Sequence, residues 1–333
     1  MRFRVSARLA LLVPGLLAAS SSWAQVTPHT RTVPKILTGA YGNLDVAAPG
    51  VSFWRAQGWY DGKNLPNGFT IREIGFRQSP RNASPGFSGD MTIIMENSSL
   101  AFSQVSSAFA NNLTVAAQVV FSGSVSAPAM PVSSDPNTAV LWVTLDTPFV
   151  VSGPNLIVDI DVENQIGFLV ADGLNQVSQS NMFLRAGSSC GGDQSASDAA
   201  VAGGFTYDYA MTGAAPSAPA ALLFSTENVA AMGLRFPVDL GQIGLAGCEL
   251  GLLPQAVVPL ATDPTGSATL SATVGVPPYF TLSTQAVHGL NPATTNVINT
   301  IGGDAELANA TTDTGGRRFG PKSYNVALIY FVR

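Results

Sequence analysis

Glycine and proline punctuate this chain throughout, and short β-type runs alternate with them. Thirty-three glycines and 22 prolines stand among 333 residues. Proline removes a backbone donor and glycine weakens a helix interior, so each tends to end regular structure. The intervals between them are short and rich in Val, Ile, Thr and aromatic residues, the signature of strands bounded by turns. Residues 91–95, 115–121, 140–145 and 156–162 are such runs, followed by 222–225, 229–236, 256–260, 267–274 and 279–283. Residues 69–77 alternate, but the apolar phase slips near Glu73, which predicts a β-bulge. Residues 324–332 are apolar on both faces and are expected to form an inner strand. Trp142, between Leu141 and Val143, is expected in the core. Helical spacing occurs once, over 103–111, through Phe102, Val105 and Phe109. Turn residues at regular intervals favour antiparallel sheets. The expected fold class is all-β: an antiparallel, jelly-roll-like β-sandwich followed by a smaller β-rich module.

Residues 1–24 have the form of a secretory signal peptide. Arg2, Arg4 and Arg8 make a basic start, residues 9–19 an apolar run, and Ser22-Trp23-Ala24 a small-residue cleavage site. Cleavage is expected between Ala24 and Gln25. The run is shorter than the roughly 20 residues that span a bilayer, and no later run approaches that length. The expected location is secreted, either extracellular or at the cell surface, with the periplasm as the alternative. The remainder divides into a loose lead-in at 25–35, a sandwich at 36–212, a Pro/Ala/Ser linker at 213–220 and a C-terminal β-rich domain at 221–333. Loops are expected around Pro128–Pro136 and Pro148–Pro154, and a long surface loop over 186–204.

Charged residues make up 11% of the chain, against about 25% in ordinary soluble proteins. Loss of the three leader arginines takes the formal charge from −5 to −8. No cluster of Lys or Arg occurs, so neither nucleic acid nor an anionic membrane is an expected partner. The two cysteines, Cys190 and Cys248, read as a disulfide in an exported protein, two buried thiols being the competing reading.

Several segments resemble a known group. Residues 69–77, 91–95, 106–112 (SSAFANN), 119–123 (VVFSG), 145–149 (LDTPF) and 155–160 (NLIVDI) follow one another in the order seen in uncharacterised secreted β-sandwich proteins of environmental bacteria. Residues 236–250, with their apolar-Pro-x-Asp-Leu run before Gly247-Cys248, are similar to a segment near the end of those proteins. The resemblance covers about two thirds of residues 25–333. It implies a sandwich with a smaller β-rich module and supports the disulfide, and it implies no activity. Many members carry a carboxy-terminal sorting segment. This chain shows no such pattern up to Arg333, so release or attachment through the folded surface is expected.

Asp159, Asp161 and Glu163 alternate with Val158, Ile160 and Val162. On a strand this spacing sets three carboxylates on one face, about 6.6 Å apart. A solvated face, a calcium site and a hydrolytic carboxylate pair are all compatible with it. No cofactor is expected, with calcium as the alternative. Trp54, Trp59 and Tyr60 stand among Gly58, Gly62 and Asn64, and could form either a sugar-stacking platform or part of the core. His29 and His288 are the only histidines, and no nucleophile elbow, zinc motif or phosphate loop accompanies them. Gly315-Gly-Arg-Arg318 reads as a hairpin turn. The expected function is non-catalytic: a cell-surface or matrix protein that binds surface polysaccharide or other extracellular proteins. Edge-to-edge assembly and, more weakly, polysaccharide hydrolysis are the alternatives.

Overall fold

The computed structural model describes residues 30–333 except 35–36, 38–39, 41, 43, 48–52, 134, 176–180, 227–229, 232–233, 276–278, 290–291, 304–307, 314–321, 325 and 329. The leader, most of the lead-in, His29 and the Gly315–Arg318 turn lie outside the described residues. Among the described residues the regular elements are strands and 3-10 turns of three or four residues, so the chain is all-β. The helical spacing near Phe102 resolves into two such turns, Phe102–Gln104 and Phe109–Asn111.

A six-stranded antiparallel sheet runs in the order Lys322–Tyr324, Ala308–Asp313, Phe53–Asp61, Asn155–Phe168, Gly86–Ser98, Gln118–Ala127. Facing it is a four-stranded sheet ordered Arg31–Val33, Tyr330–Val332, Thr70–Arg77, Ala139–Val150. Alternation fixes the register of the first sheet. Tyr60, Gly58, Ala56 and Trp54 lie opposite Leu156, Val158, Ile160 and Val162, which lie opposite Asn97, Met95, Ile93 and Met91 on the next strand. The apolar members of these rows are all buried, against Ile74, Phe76, Val143 and Tyr330 of the facing sheet. Each such side chain contributes about 1.5–3 kcal/mol when fully buried. Tyr60 and Tyr330 meet edge to face at 5.9 Å and share a side-chain hydrogen bond. Gly58 leaves room for the Tyr60 ring, because a Cβ there would come within 2.7 Å of it.

The strand Thr70–Arg77 carries the bulge expected at Glu73. Its register shifts between Ile71 and Glu73, and the amides of both Arg72 and Glu73 donate to the carbonyl of Arg333, at 2.6 and 2.9 Å. Trp142 corrects an expectation. It lies on the outer face of the sheet, 37% exposed, across Gly75 and beneath the Arg333 guanidinium at 4.4 Å. Leu141 and Val143 on either side take the inner positions, and the alternation of a strand excludes Trp142 from them. Pro148 lies inside the strand Ala139–Val150 rather than in a loop, tolerated because that strand is a sheet edge.

A second sandwich is formed from Met182 to Gly303. Its five-stranded sheet is ordered Met182–Ala186, Ala293–Gly303, Tyr279–His288, Pro219–Ser225, Ala256–Ala261. A three-stranded sheet, Asp193–Val201, Gly204–Thr212, Ala268–Gly275, packs on it through Tyr207, Tyr209, Met211, Leu222 and Ala286. Cys190 and Cys248 are bonded, tying the segment that carries Phe236, Val238, Leu240 and Leu250 to the five-stranded sheet.

These pairings correct the expected division at 213–220. Ala214, Ala218 and Ala220 are buried. The amides of Ala214, Ser217 and Ala218 bond to Gly266, Asp263 and Thr262, and Pro219 already opens a strand. Small residues and prolines served a tight, packed turn instead of a linker. Residues 186–204 are likewise not a loop, since Asp193–Val201 pairs along its length with Gly204–Thr212. Residues 324–332 are divided among three short strands: Lys322–Tyr324 in the six-stranded sheet, Val326–Leu328 beside Val170–Asn175, and Tyr330–Val332 in the four-stranded sheet. Only the last is an inner strand of a larger sheet. The second sandwich is therefore inserted within the first, and is not appended to it.

Two stability effects are expected. Tyr330→Ala removes an aromatic group buried between two sheets and should cost about 3–5 kcal/mol in a denaturant titration. Reducing Cys190–Cys248, which closes a separation of 58 residues, should cost about 4 kcal/mol on the chain-entropy account.

Candidate functional site

The residues nominated from sequence converge on two neighbouring strands, Phe53–Asp61 and Asn155–Phe168, but not as a sugar platform. Trp54 and Tyr60 point into the sandwich, at 3% and 1% exposure. Trp59 points the opposite way and is still only 4% exposed. Residues 99–114 cross the outer face of the sheet there. Val105 packs on Trp59 and Ile157, and the Trp59 Nε1 donates to the Leu100 carbonyl at 2.8 Å. Glu96 anchors the same segment by accepting from the amide and hydroxyl of Thr114. Rings enclosed in this way offer no face to a sugar, and all three belong to the core.

The carboxylates do share the outward face, but not as a solvated row. Asp159 is 1% exposed. Arg55 donates to both its oxygens, through Nε at 3.0 Å and Nη2 at 2.7 Å. Gln57 Nε2 adds a third bond at 2.7 Å. Gln57 Oε1 accepts in turn from Asn112 at 2.6 Å, and the Phe109 ring lies 4.6 Å from the Arg55 guanidinium carbon. Two polar neighbours and an aromatic lid satisfy a charge that would otherwise be costly to bury. Asp159 therefore has its oxygens committed to nitrogen donors and is not free to ligate calcium. Among the described residues no three His, Cys, Asp or Glu side chains converge as a metal site.

Asp161 lies at the margin of this roof. Its Oδ1 is sealed from solvent without a hydrogen-bond donor. Burial raises its carboxyl above the ordinary value. Arg55 opposes that shift, and the charges of Asp159 and Glu163 add to it. Glu163 is exposed and stands opposite Asp90, whose carboxyl is held low by bonds from Ser124 and Asn164.

A second buried ion pair had no sequence signal beyond an arginine closing an apolar strand. Arg77 and Asp172 are both fully buried, with Arg77 Nη2 at 2.8 Å and Nε at 3.0 Å from Asp172 Oδ2. Arg77 Nη1 also donates to the Leu37 carbonyl, and Asp172 accepts from the Gly42 amide and from Arg81. These bonds join the four-stranded sheet to the strand Val170–Asn175. His288 is buried with Nε2 against the Gly191 carbonyl, next to Cys190.

What the molecule leaves open is an edge. Most sheet edges among the described residues carry a feature that discourages pairing. Ala256–Ala261 contains Pro259, Ala139–Val150 contains Pro148, and Met182–Ala186 contains Arg185. Gln118–Ala127 is uncharged, but its Ser122 amide is capped by Asp146 at 3.1 Å. The Gln194 amide of Asp193–Val201 is taken by Asn296. Among the described residues, Ala268–Gly275 has a neighbour on one side only; it carries neither charge nor proline, and its last five residues are exposed.

No protein-family model matches the chain, and no curated protein is significantly similar to it.

Arg55→Ala should destabilise the fold by about 3–5 kcal/mol, because it strands the buried Asp159 carboxylate. Asp161 should act in the opposite direction. Its raised carboxyl keeps its proton in the folded state at pH values where the unfolded chain has lost it. The contribution favours folding below the ordinary carboxylate range and is lost as pH rises through the raised value. Asp161→Asn should therefore melt above the parent at neutral pH, with the difference shrinking as pH approaches 3.8, the ordinary Asp value.

Proposed function

We propose that this is a secreted, non-catalytic protein of the cell surface or extracellular matrix, which works by presenting folded surfaces to glycans or to other extracellular proteins. The observation that carries the reading is the fate of its best chemical group. The Asp159 carboxylate is closed into a bidentate pair with Arg55 beneath Phe109, where no substrate can reach it. A catalytic carboxylate must lie within hydrogen-bond reach of the reacting atoms. Export is supported by the signal-like residues 1–24 and by the disulfide, which suits an oxidising compartment. A second reading, assembly of like subunits, is favoured by the open edge at Ala268–Gly275.

Residues 25–333 incubated with insoluble polysaccharides and isolated cell envelopes should be retained without releasing soluble sugar. Reproducible release that disappears in Asp161→Ala would make the protein a hydrolase and overturn the proposal.

A further inference from the structure

We infer that the strand Ala268–Gly275 pairs antiparallel with the same strand of a second copy, joining two three-stranded sheets into one of six strands. The inference deepens the assembly reading above and is independent of whether the protein binds polysaccharide or envelopes.

The partner follows from what this edge offers. An edge strand recognises another chain mainly through its unpaired amides and carbonyls, and specificity for a foreign peptide comes from pockets that take alternate side chains. Ala268, Thr269, Leu270, Ser271, Ala272, Thr273, Val274 and Gly275 present small or aliphatic side chains and no charge with which to select one. A second copy brings an edge already held in strand form by its own Gly204–Thr212, so it avoids the ordering entropy that a flexible peptide would lose. Antiparallel self-pairing also closes on itself. A two-fold axis normal to the sheet presents the same donors and acceptors to each other and consumes both edges at once.

Electrostatics point the same way. Residues 25–333 are acidic overall, with a formal charge of −8 once the three leader arginines are removed from a chain of −5, so two copies repel over most of their surface. This edge is neutral. The Asp208 carboxylate on the adjacent strand is engaged by the Ser271 hydroxyl.

The side-chain faces agree as well. A register centred on Ser271 sets Thr269 opposite Thr273 of the second copy, a hydroxyl pairing that already occurs inside one chain, where Thr206 and Thr273 meet at 2.9 Å. On the other face it sets Leu270 opposite Ala272 and Ala268 opposite Val274. Val274 is 39% exposed although it pairs with the half-buried Phe205, so the apolar side of this strand runs beyond the cover its own sandwich supplies. The opposite edge of the same sheet, Asp193–Val201, carries Asp193 and Asp198, and its Gln194 amide and carbonyl are taken by Asn296, so it is a poorer site for a third copy.

Sedimentation velocity of residues 25–333 over a concentration series tests this. The parent should pass from monomer to dimer with rising concentration. The double variant Thr269→Lys, Thr273→Lys places lysine opposite lysine twice across the axis, at two exposed positions. It should keep the parent melting curve and weaken the dimer by about tenfold or more. Mixing it with Thr269→Glu, Thr273→Glu should restore a dimer of one copy of each. A parent that stays monomeric at about 100 µM, well above typical specific affinities, overturns the inference. So does a dimer that the lysines leave unchanged. Envelope and polysaccharide retention of the lysine variant, measured in parallel, separates the two proposals: retention by a monomeric variant keeps the surface-protein reading, and loss of retention in a folded dimer counts against that reading alone.

Discussion

The strand Tyr330–Val332 closes the first sandwich, and the remaining topology follows from that placement. It lies between Arg31–Val33 and Thr70–Arg77, so the four-stranded sheet is continuous only when residues from the two extremes of the described chain have met. Tyr330 reaches across the core to Tyr60 and packs edge to face on Phe76. The carbonyl of Arg333 takes the two amides that the bulge at Arg72 and Glu73 presents. With Ala308–Asp313 completing the facing sheet beside Phe53–Asp61, everything from Met182 to Gly303 becomes an excursion from the first sandwich. Pairings of such sequence separation carry a high loop-closure entropy and form slowly, whereas the disulfide and the local hairpins of the inserted sandwich need no contact with the chain ends.

A chain with so few charges still places several of them inside. Arg77–Asp172 joins two sheets, and Arg55–Asp159 joins two strands beneath a roof. Both are paired, and further donors occupy the remaining carboxylate oxygens, the condition under which a buried charge is tolerated. The inserted sandwich does the same with neutral groups: Gln194, Thr284, Thr295 and Asn296 bond to one another in a buried row between its sheets. The surface is then left to hydroxyls, amides and small side chains. Such a surface supplies few of the lysines that usually guard a sheet edge, and Ala268–Gly275 shows the consequence.

Much of the local structure was legible because it rests on a period of two. The runs at 91–95, 140–145 and 156–162 lie inside observed strands, and the phase slip at Glu73 marks a real change of register. Residues 115–121 overlapped only the start of Gln118–Ala127. The candidate site was legible only in part. Alternation correctly set Asp159, Asp161 and Glu163 on one side of a strand. It could not show that residues 99–114 fold back over the outer face, since that contact joins Phe109 and Asn112 to Gln57 and Arg55 through space. Trp142 was misjudged for the complementary reason. Its exposure depends on its own parity and on a glycine two strands of sequence away, Gly75, over which the ring lies.

By itself the sequence determined the class of fold, the two cysteines that pair and the scarcity of charge. Glycine and proline spacing, alternation and composition are properties of neighbours along the chain. Tertiary structure alone decided that the second sandwich is inserted, that Trp54 and Trp59 are core, that Asp159 is a structural tie and that Ala268–Gly275 is an open edge among the described residues. Each of these depends on which distant segment supplies the other half of a sheet, a core or a hydrogen bond, and a periodic pattern specifies that a face must be covered without specifying by what.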